Sequence, residues 1–274
     1  FEELPILPIV DENDAPATIQ VQLPGRMVFL RIWQIQVGRV PLLLLDSNIE
    51  PNSPADRELT ARLYTSDLES RISQELILGV GGVRALRTMG FQPTVWHMNE
   101  GHSAFLGLER ARELVQAGGD FETARQQIAA STTFTTHTPV PAGNDEFPLW
   151  LIDKYFTNLW PQLGLDREQF IDVARVRQPW GGETFSMPVL AQKLADQRNG
   201  VSALHGQVSR RMWASLYPEV SEEEVPITSI TNGVHTETWL ARRLGLLYDR
   251  YLGSGWRERI DDPAVWEKID AIPD

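Results

Sequence analysis

Twice in this chain, about 38 residues apart, a short apolar or β-branched run breaks into a polar turn and then a helix. The first run is Thr94–Met98 (TVWHM). It ends in Asn99-Glu100-Gly101-His102 and passes into a helix predicted from Ser103 to Gln116, with Phe105, Leu108 and Val115 on one face. Gly118-Gly119-Asp120 stops that helix, and Phe121–Ala130 repeats the helical spacing. The second run opens Thr132–Phe147 (TTFTTHTPVPAGNDEF), which delivers His137 to a loop. Pro139 and Pro141 restrict that loop, and an amphipathic helix is expected from near Glu146. Strand–loop–helix in series is the rhythm of a parallel α/β sheet. Such sheets place ligands at the carboxyl ends of their strands, where His137, Glu100 and His102 fall.

Residues 1–50 predict β-structure: Thr18–Gln22 and Met27–Val40 alternate, and Pro24-Gly25 marks a turn. Pro41–Leu45 reads as a buried strand, and Asn52–Asp56 as a polar loop. Helical spacing runs from Asp56 to Leu63 and again from Asp67 to Met89. Within the latter, Gly79-Val80-Gly81-Gly82 reads as helix packing, since a phosphate cradle would need the full G-x-G-x-x-G after a strand. Further on, Phe147–Trp160 predicts an aromatic-rich helix and Trp180–Glu183 a loop. A helix follows over Ser186–Gln197, with Pro188 in its first turn. Val201–Leu204 and Ile227–Thr231 are expected strands, with helices at His205–Leu216, from Thr238 to Leu244, and at Pro263–Ile269. Ser221–Glu224 reads as a solvated acidic turn.

A net charge of −12 with no basic stripe argues against nucleic acid or an anionic membrane as partner. The absence of cysteine removes disulfide and thiolate chemistry. No apolar run is long enough to span a bilayer, and Phe1–Val10 does not have the form of a signal peptide. Both ends read as cut, so a fragment is expected.

Chemistry concentrates at the strand ends. His97, Glu100 and His102 are spaced H-x-x-E-x-H, which matches neither H-E-x-x-H nor H-x-x-E-H, so no metal is expected. His97 is expected to pack in the core. Glu100 and His102 suit hydrogen bonding to sugar hydroxyls or proton transfer. On its residues alone, His137 reads equally as a structural histidine and as a functional one. His205 is expected to cap or pack a helix, and His235 lies in a turn after Asn232-Gly233. The nine tryptophans, Trp180, Trp213 and Trp239 among them, could stack on sugars or cofactor, with core packing the simpler role.

Four segments together resemble the α-glucan (glycogen/maltodextrin) phosphorylase family in its short bacterial form. They are VWHMNEGHSAFLGLERARELV (95–115), TFTTHTPVPAGNDEF (133–147), NGVSALHGQVSRRMW (199–213) and ITNGVHTETWL (230–240). QVGRVPLLLLDS (36–47) and ESRISQELILGVGGVRAL (69–86) extend the match upstream in the same order. The resemblance implies a GT-B fold of two facing Rossmann-like domains, with pyridoxal phosphate as cofactor. It implies phosphorolysis of terminal α-1,4-glucosyl units to glucose 1-phosphate with retained configuration, in a cytoplasmic enzyme. Partners would be α-1,4-glucan and inorganic phosphate, without nucleic acid or membrane, and a homo-oligomer is compatible.

By the same resemblance, His137 would contact the glucosyl 6-hydroxyl and present its carbonyl to developing positive charge. Asn232 would hold that hydroxyl from another strand end. Glu100 and His102 would line the acceptor side near Arg71, and Trp239 would sit against the cofactor. The family's amino-terminal glycine-rich segment and its carboxyl-terminal domain, with the Schiff-base lysine, are absent from these residues. The segment from Tyr64 to Arg71, a gating loop in the family, is short. Residues 1–262 would be most of the amino-terminal catalytic domain and 263–274 the start of a crossover. The fragment alone is expected to be inactive. Two alternatives are a sugar-nucleotide-dependent glucan glycosyltransferase of related fold and a glucan-binding module.

Overall fold

The computed structural model describes residues 5–63, 67–140, 143–178 and 181–273. Pro141, Trp180 and the start of the segment from Tyr64 lie outside them. The chain forms two compact units, Phe1–Thr231 and Asn232–Asp274.

The first unit opens with an antiparallel sheet of β1 (Leu7–Pro8), β2 (Thr18–Leu23), β3 (Arg26–Val37) and β4 (Val40–Asp46). Alternation in β2 buries Ile19, Val21 and Leu23, the face that meets the helices. The long alternating stretch predicted to run to Val40 instead reverses at Gly38-Arg39, where Gly38 takes φ 57°, and Val37 pairs with Val40. The buried strand expected at Pro41–Leu45 is corrected: β4 is an edge strand paired only with β3, and Leu42 and Leu44 are 47% and 38% exposed. An apolar run of this length cannot distinguish the two faces of an edge strand from burial on both.

Helix α1 (Pro54–Arg57) replaces most of the expected polar loop. Asp67 then caps a continuous helical run: α2 (Leu68–Leu76), a π-helical turn Ile77–Gly81, and α3 (Gly82–Thr88). The glycine cluster therefore lies inside a helix, as expected.

The parallel sheet follows in the order β11-β10-β6-β5, from β5 (Trp96–Asn99), β6 (Thr132–Thr135), β10 (Gln197–Gly200) and β11 (Thr228–Ser229). All three pairings are parallel. α4 (Phe105–Gln116) and α5 (Phe121–Ala130) connect β5 to β6, as the spacing predicted. Asp120 caps α5 through the Thr123 amide at 3.0 Å.

Between β6 and β10 lies a part the sequence reading missed. β7 (Glu146–Pro148), β8 (Arg175–Arg177) and β9 (Glu183–Ser186) form an antiparallel sheet in the order β7-β9-β8. The helices there are α6 (Leu149–Phe156), α7 (Arg167–Asp172) and α8 (Met187–Lys193). A strand thus precedes the aromatic helix that was expected from Phe147. Phe105, Phe156, Phe170 and Phe185 form a chain of rings with centroids 4.9 to 5.6 Å apart, joining α4 to this insertion. α9 (Ala203–Trp213) returns the chain from β10 towards β11, capped by Ser202. The strand expected at Val201–Leu204 is displaced to β10: Gln197–Gly200 pairs with β6, and Asn199-Gly200 is its end rather than a turn.

The second unit contains α10 (Thr236–Trp239), α11 (Arg242–Tyr251) and α12 (Pro263–Trp266) around Leu252, Trp256 and Val265. Tyr248 and Trp266 meet Trp256 edge-on, and Asp249 accepts from the Trp256 indole at 3.0 Å.

Candidate functional site

β5 and β6 run side by side, with Asn99 opposite Thr135, so their carboxyl ends release two loops next to each other. Glu100 leaves β5 with φ 69° and ψ 170°, a region that side-chain-bearing residues rarely occupy. Holding it there costs about 1–3 kcal/mol. Three contacts from the β6 side fix it. Its amide donates to the Thr135 carbonyl at 2.9 Å, and its Oε1 accepts from the His137 amide and, at 3.1 Å, from the Thr138 hydroxyl. The turn continues as a 3₁₀ helix, Gly101–Ser103. A side chain at Gly101 would meet the Pro188 nitrogen at 2.9 Å, so glycine is what lets α8 abut this turn.

His137 is held at both ends. Its backbone is tied to Glu100, and its Nε2 lies 2.6 Å from Asn99 Oδ1. That pairing fixes the ring orientation, with the amide oxygen of Asn99 as acceptor and Nε2–H as donor. His102 is partly buried. Burial first, and the nearby Arg71 charge second, push its pKa down, which keeps the imidazole neutral at pH 7.

These groups open onto a cleft of about 470 Å³ that also takes in Arg71, Asn144 and Asp145. Arg71 Nη2 and Nε donate to the two oxygens of Asp145 at 2.6 and 3.2 Å, a bidentate pair between α2 and the residue before β7. Glu75, one turn along α2, lies 3.0 Å from Arg71 Nε. Both side-chain polar atoms of Asn144 are out of solvent and without a hydrogen-bond partner among the described residues. Such an arrangement offers a neutral imidazole, a carboxylate, a fixed guanidinium and an amide to a polyhydroxylated ligand.

Of the residues singled out from sequence, His137, Glu100, His102 and Arg71 come together in this one cleft. Asn232 and Trp239 belong to the second unit; both are exposed, Trp239 at the end of α10 and 80% accessible. His97 departs from its expected core position. It stands on the open face of β5, with Nε2 2.7 Å from Thr135 Oγ1, because alternation turns it away from buried Trp96 and Met98. His205 does pack, and its Nδ1 accepts from the Val201 amide at 3.1 Å. His235 precedes α10 and pairs with Thr238 at 2.7 Å.

Sequence reasoning passed over Asn99, Asp145 and Glu75. Asn99 and Asp145 sit within motifs that were read, and Glu75 stands four residues after Arg71, a spacing that places charges on one helical face.

No protein-family model matches the chain. Individual relatives do. It is 40% identical over 273 residues to the maltodextrin phosphorylase of Thermococcus litoralis, with all of this chain aligned to 32% of that protein. The glycogen phosphorylase of Mycobacterium tuberculosis is 43% identical over 284 residues, covering 98% of this chain and 32% of the relative. That of Aquifex aeolicus is 32% identical over 273 residues, covering all of this chain and 39% of the relative. The chain therefore spans about a third of the length of the curated relatives it matches. Along its whole length the chain is thus similar to maltodextrin and glycogen phosphorylases.

Proposed function

We propose that the protein is an α-glucan phosphorylase. It would transfer the terminal α-1,4-linked glucosyl unit of glycogen or maltodextrin to inorganic phosphate, giving glucose 1-phosphate. The observation that carries this reading is the convergence of His137, Glu100, His102 and Arg71 in one cleft at the ends of β5 and β6, in a chain similar throughout to phosphorylases.

In this reading His137 binds the glucosyl 6-hydroxyl, its ring set by Asn99, while its carbonyl faces the positive charge that develops on the sugar ring. Glu100 fixes the backbone of His137 and Thr138, and so sets where that carbonyl points. Neutral His102 and the Arg71–Asp145 pair bind acceptor hydroxyls. Asn232 would act on the same glucosyl hydroxyl as His137, and Trp239 would cover the cofactor.

Pyridoxal phosphate belongs to the proposal as the cofactor, whose phosphate would relay a proton beside the substrate phosphate. The cleft's described residues do not fit its covalent attachment. Lys154 is engaged by Glu69 at 2.6 Å and Lys193 by the Asp172 carbonyl at 2.9 Å, and neither lines the cleft. The proposal extends to a GT-B architecture with residues 1–262 in a Rossmann-like amino-terminal domain, a crossover from 263, a cytoplasmic setting and a homo-oligomer. No helix of the described residues is long and apolar enough to cross a membrane.

The test is phosphate-dependent release of glucose 1-phosphate from maltodextrin, by the full-length protein that carries these residues, without any nucleotide sugar. Product formed only with a nucleotide sugar would reject the reading in favour of a synthase. His137→Ala should lower kcat/KM by about 10²-fold, the scale for losing one oriented polar contact to a developing charge.

A further inference from the structure

Glu75 is a buried acid with no assigned task. Its side chain is 2% exposed, and its carboxyl oxygens accept no hydrogen bond of good geometry among the described residues, although Oε1 lies 3.0 Å from Arg71 Nε. Arg71 is already clasped by both oxygens of Asp145. Two acids thus share one base. Arg71 and His102 also line an adjoining groove of about 340 Å³, together with Glu75, Leu44 and Leu78.

Charge balance decides the state of this group. With Arg71 positive and both acids ionised, the cluster would bury a net negative charge, which is costly where water is excluded. The other charged or titratable groups facing it do not supply the missing cation. His102, on the turn after β5, is held neutral by burial and by Arg71, and Glu100 adds negative charge. Arg62, on the segment after α1, lines the same groove but makes no ion pair with Glu75 among the described residues. A proton on Glu75 removes the excess charge and turns a repulsion into a donor aimed at Asp145. Burial, then the Asp145 charge, act in that same direction on its pKa and outweigh Arg71, holding it well above the usual carboxylate range.

We propose that Glu75 is a positioning residue of the cleft that keeps its proton at neutral pH, donates it in a hydrogen bond to Asp145, and so holds the Arg71–Asp145 clasp in place. Its bearing on catalysis rests on the phosphorylase reading; the shared proton does not. When the proton is lost at higher pH, Glu75 competes with Asp145 for Arg71, and the clasp facing the substrate loosens. Glutamine at this position keeps a donor and never ionises.

The experiment has two arms. In the first, thermal melts of wild type and Glu75→Gln are compared from about pH 5 to pH 9, above the ordinary carboxylate pKa. The wild-type melting temperature should fall relative to that of Glu75→Gln as pH rises, and infrared spectra should show a protonated-carboxyl band that Glu75→Gln lacks. Parallel melting curves without that band would overturn the shared proton. Should Glu75→Gln fail to fold, carboxyl ¹³C titration of labelled wild type reads the same proton directly, and an ordinary carboxylate pKa would overturn it.

In the second arm, maltodextrin phosphorolysis by the full-length protein that carries these residues is followed against pH. Glu75→Ala should raise KM about tenfold, with kcat little changed, and Glu75→Gln should restore KM and extend the low-KM range to higher pH than wild type. Equal loss of kcat in both variants with an unaltered pH profile would overturn the positioning role. Diverging melts, with no phosphorolysis by the full-length protein that carries these residues, would reject the phosphorylase reading and leave the shared proton standing.

Discussion

A single helical run, from Leu68 to Thr88, carries two buried glutamate–arginine clusters with opposite arithmetic. Near its end Arg84 meets Glu109 of α4 at 2.7 Å, and Arg112 meets the same carboxylate at 2.6 Å, so two bases serve one acid. Near its start Arg71 serves two acids, Glu75 and Asp145. Glu109 and Glu75 are equally hidden, with side chains 1% and 2% exposed. Yet burial, which pushes both upward, is overcome at Glu109 by hydrogen bonds from Arg112 and Arg84, so its pKa ends below the usual range. At Glu75 burial and the neighbouring Asp145 prevail, and the pKa ends above it. Burial alone does not decide whether a carboxyl ionises; the count of counter-charges does. The satisfied cluster pins α3 to α4, whereas the acid-rich one faces the cleft.

The largest effect that could break this contrast is at Glu109. Glu109→Ala leaves Arg84 and Arg112 without their carboxylate and should cost about 3 kcal/mol by chemical denaturation at neutral pH. That is the low end for breaking a buried pair, because both arginines retain some solvent access. The pH response has a definite sign. Glu109 has a lowered folded pKa, so its contribution is present above the unfolded value near 4.5 and is lost as pH falls through the folded one. Glu75 has a raised folded pKa, so its contribution is full below the unfolded value and is lost as pH rises through the folded one. Stability differences between wild type and Glu109→Gln should therefore shrink in acid. Those between wild type and Glu75→Gln should widen in alkali, in favour of the variant. Slopes of the same sign would remove the distinction between the clusters.

How far these clusters could be read in advance depended on range. The parallel rhythm was visible because β5 and β6 each pair a short strand with a terminating polar turn, and α5 carries its own cap at Asp120. β7 was not, since Glu146–Pro148 is three residues long and ends in proline, and its apolar residues run on into α6. β10 was misplaced because Gln-Arg-Asn-Gly looks like a turn; its place beside β6 comes from tertiary pairing, which local composition does not encode. That His137, Glu100 and His102 lie near one another was legible because all three stand at the ends of neighbouring strands. Asp145 and Glu75 act on an arginine 74 and four residues away in sequence, and only the fold shows that both reach the same guanidinium.

The smaller effects lie in the π-helical turn Ile77–Gly81 that separates the two clusters. A methyl group at Gly79 would sit 2.7 Å from the Leu106 nitrogen and 2.8 Å from Phe105 Cβ, atoms of the α4 start that cannot swing aside. Gly79→Ala should therefore push the run away from α4 and cost about 2 kcal/mol, as overpacking does. Because the displacement would fall between Arg71 and Arg84, it should disturb both clusters and flatten both pH slopes at once. Gly82, three residues on, has nothing within 4 Å of an added methyl and has helical φ −59° and ψ −44°. Gly82→Ala removes only backbone freedom from the unfolded chain, so it should raise stability by about 0.5–1 kcal/mol and leave both slopes unchanged. A loss of stability at Gly82 comparable to that at Gly79 would mean that neither glycine position of this helical run tolerates a side chain. The two clusters would then be coupled through helix strain, and their opposite titrations could no longer be assigned to counter-charge alone.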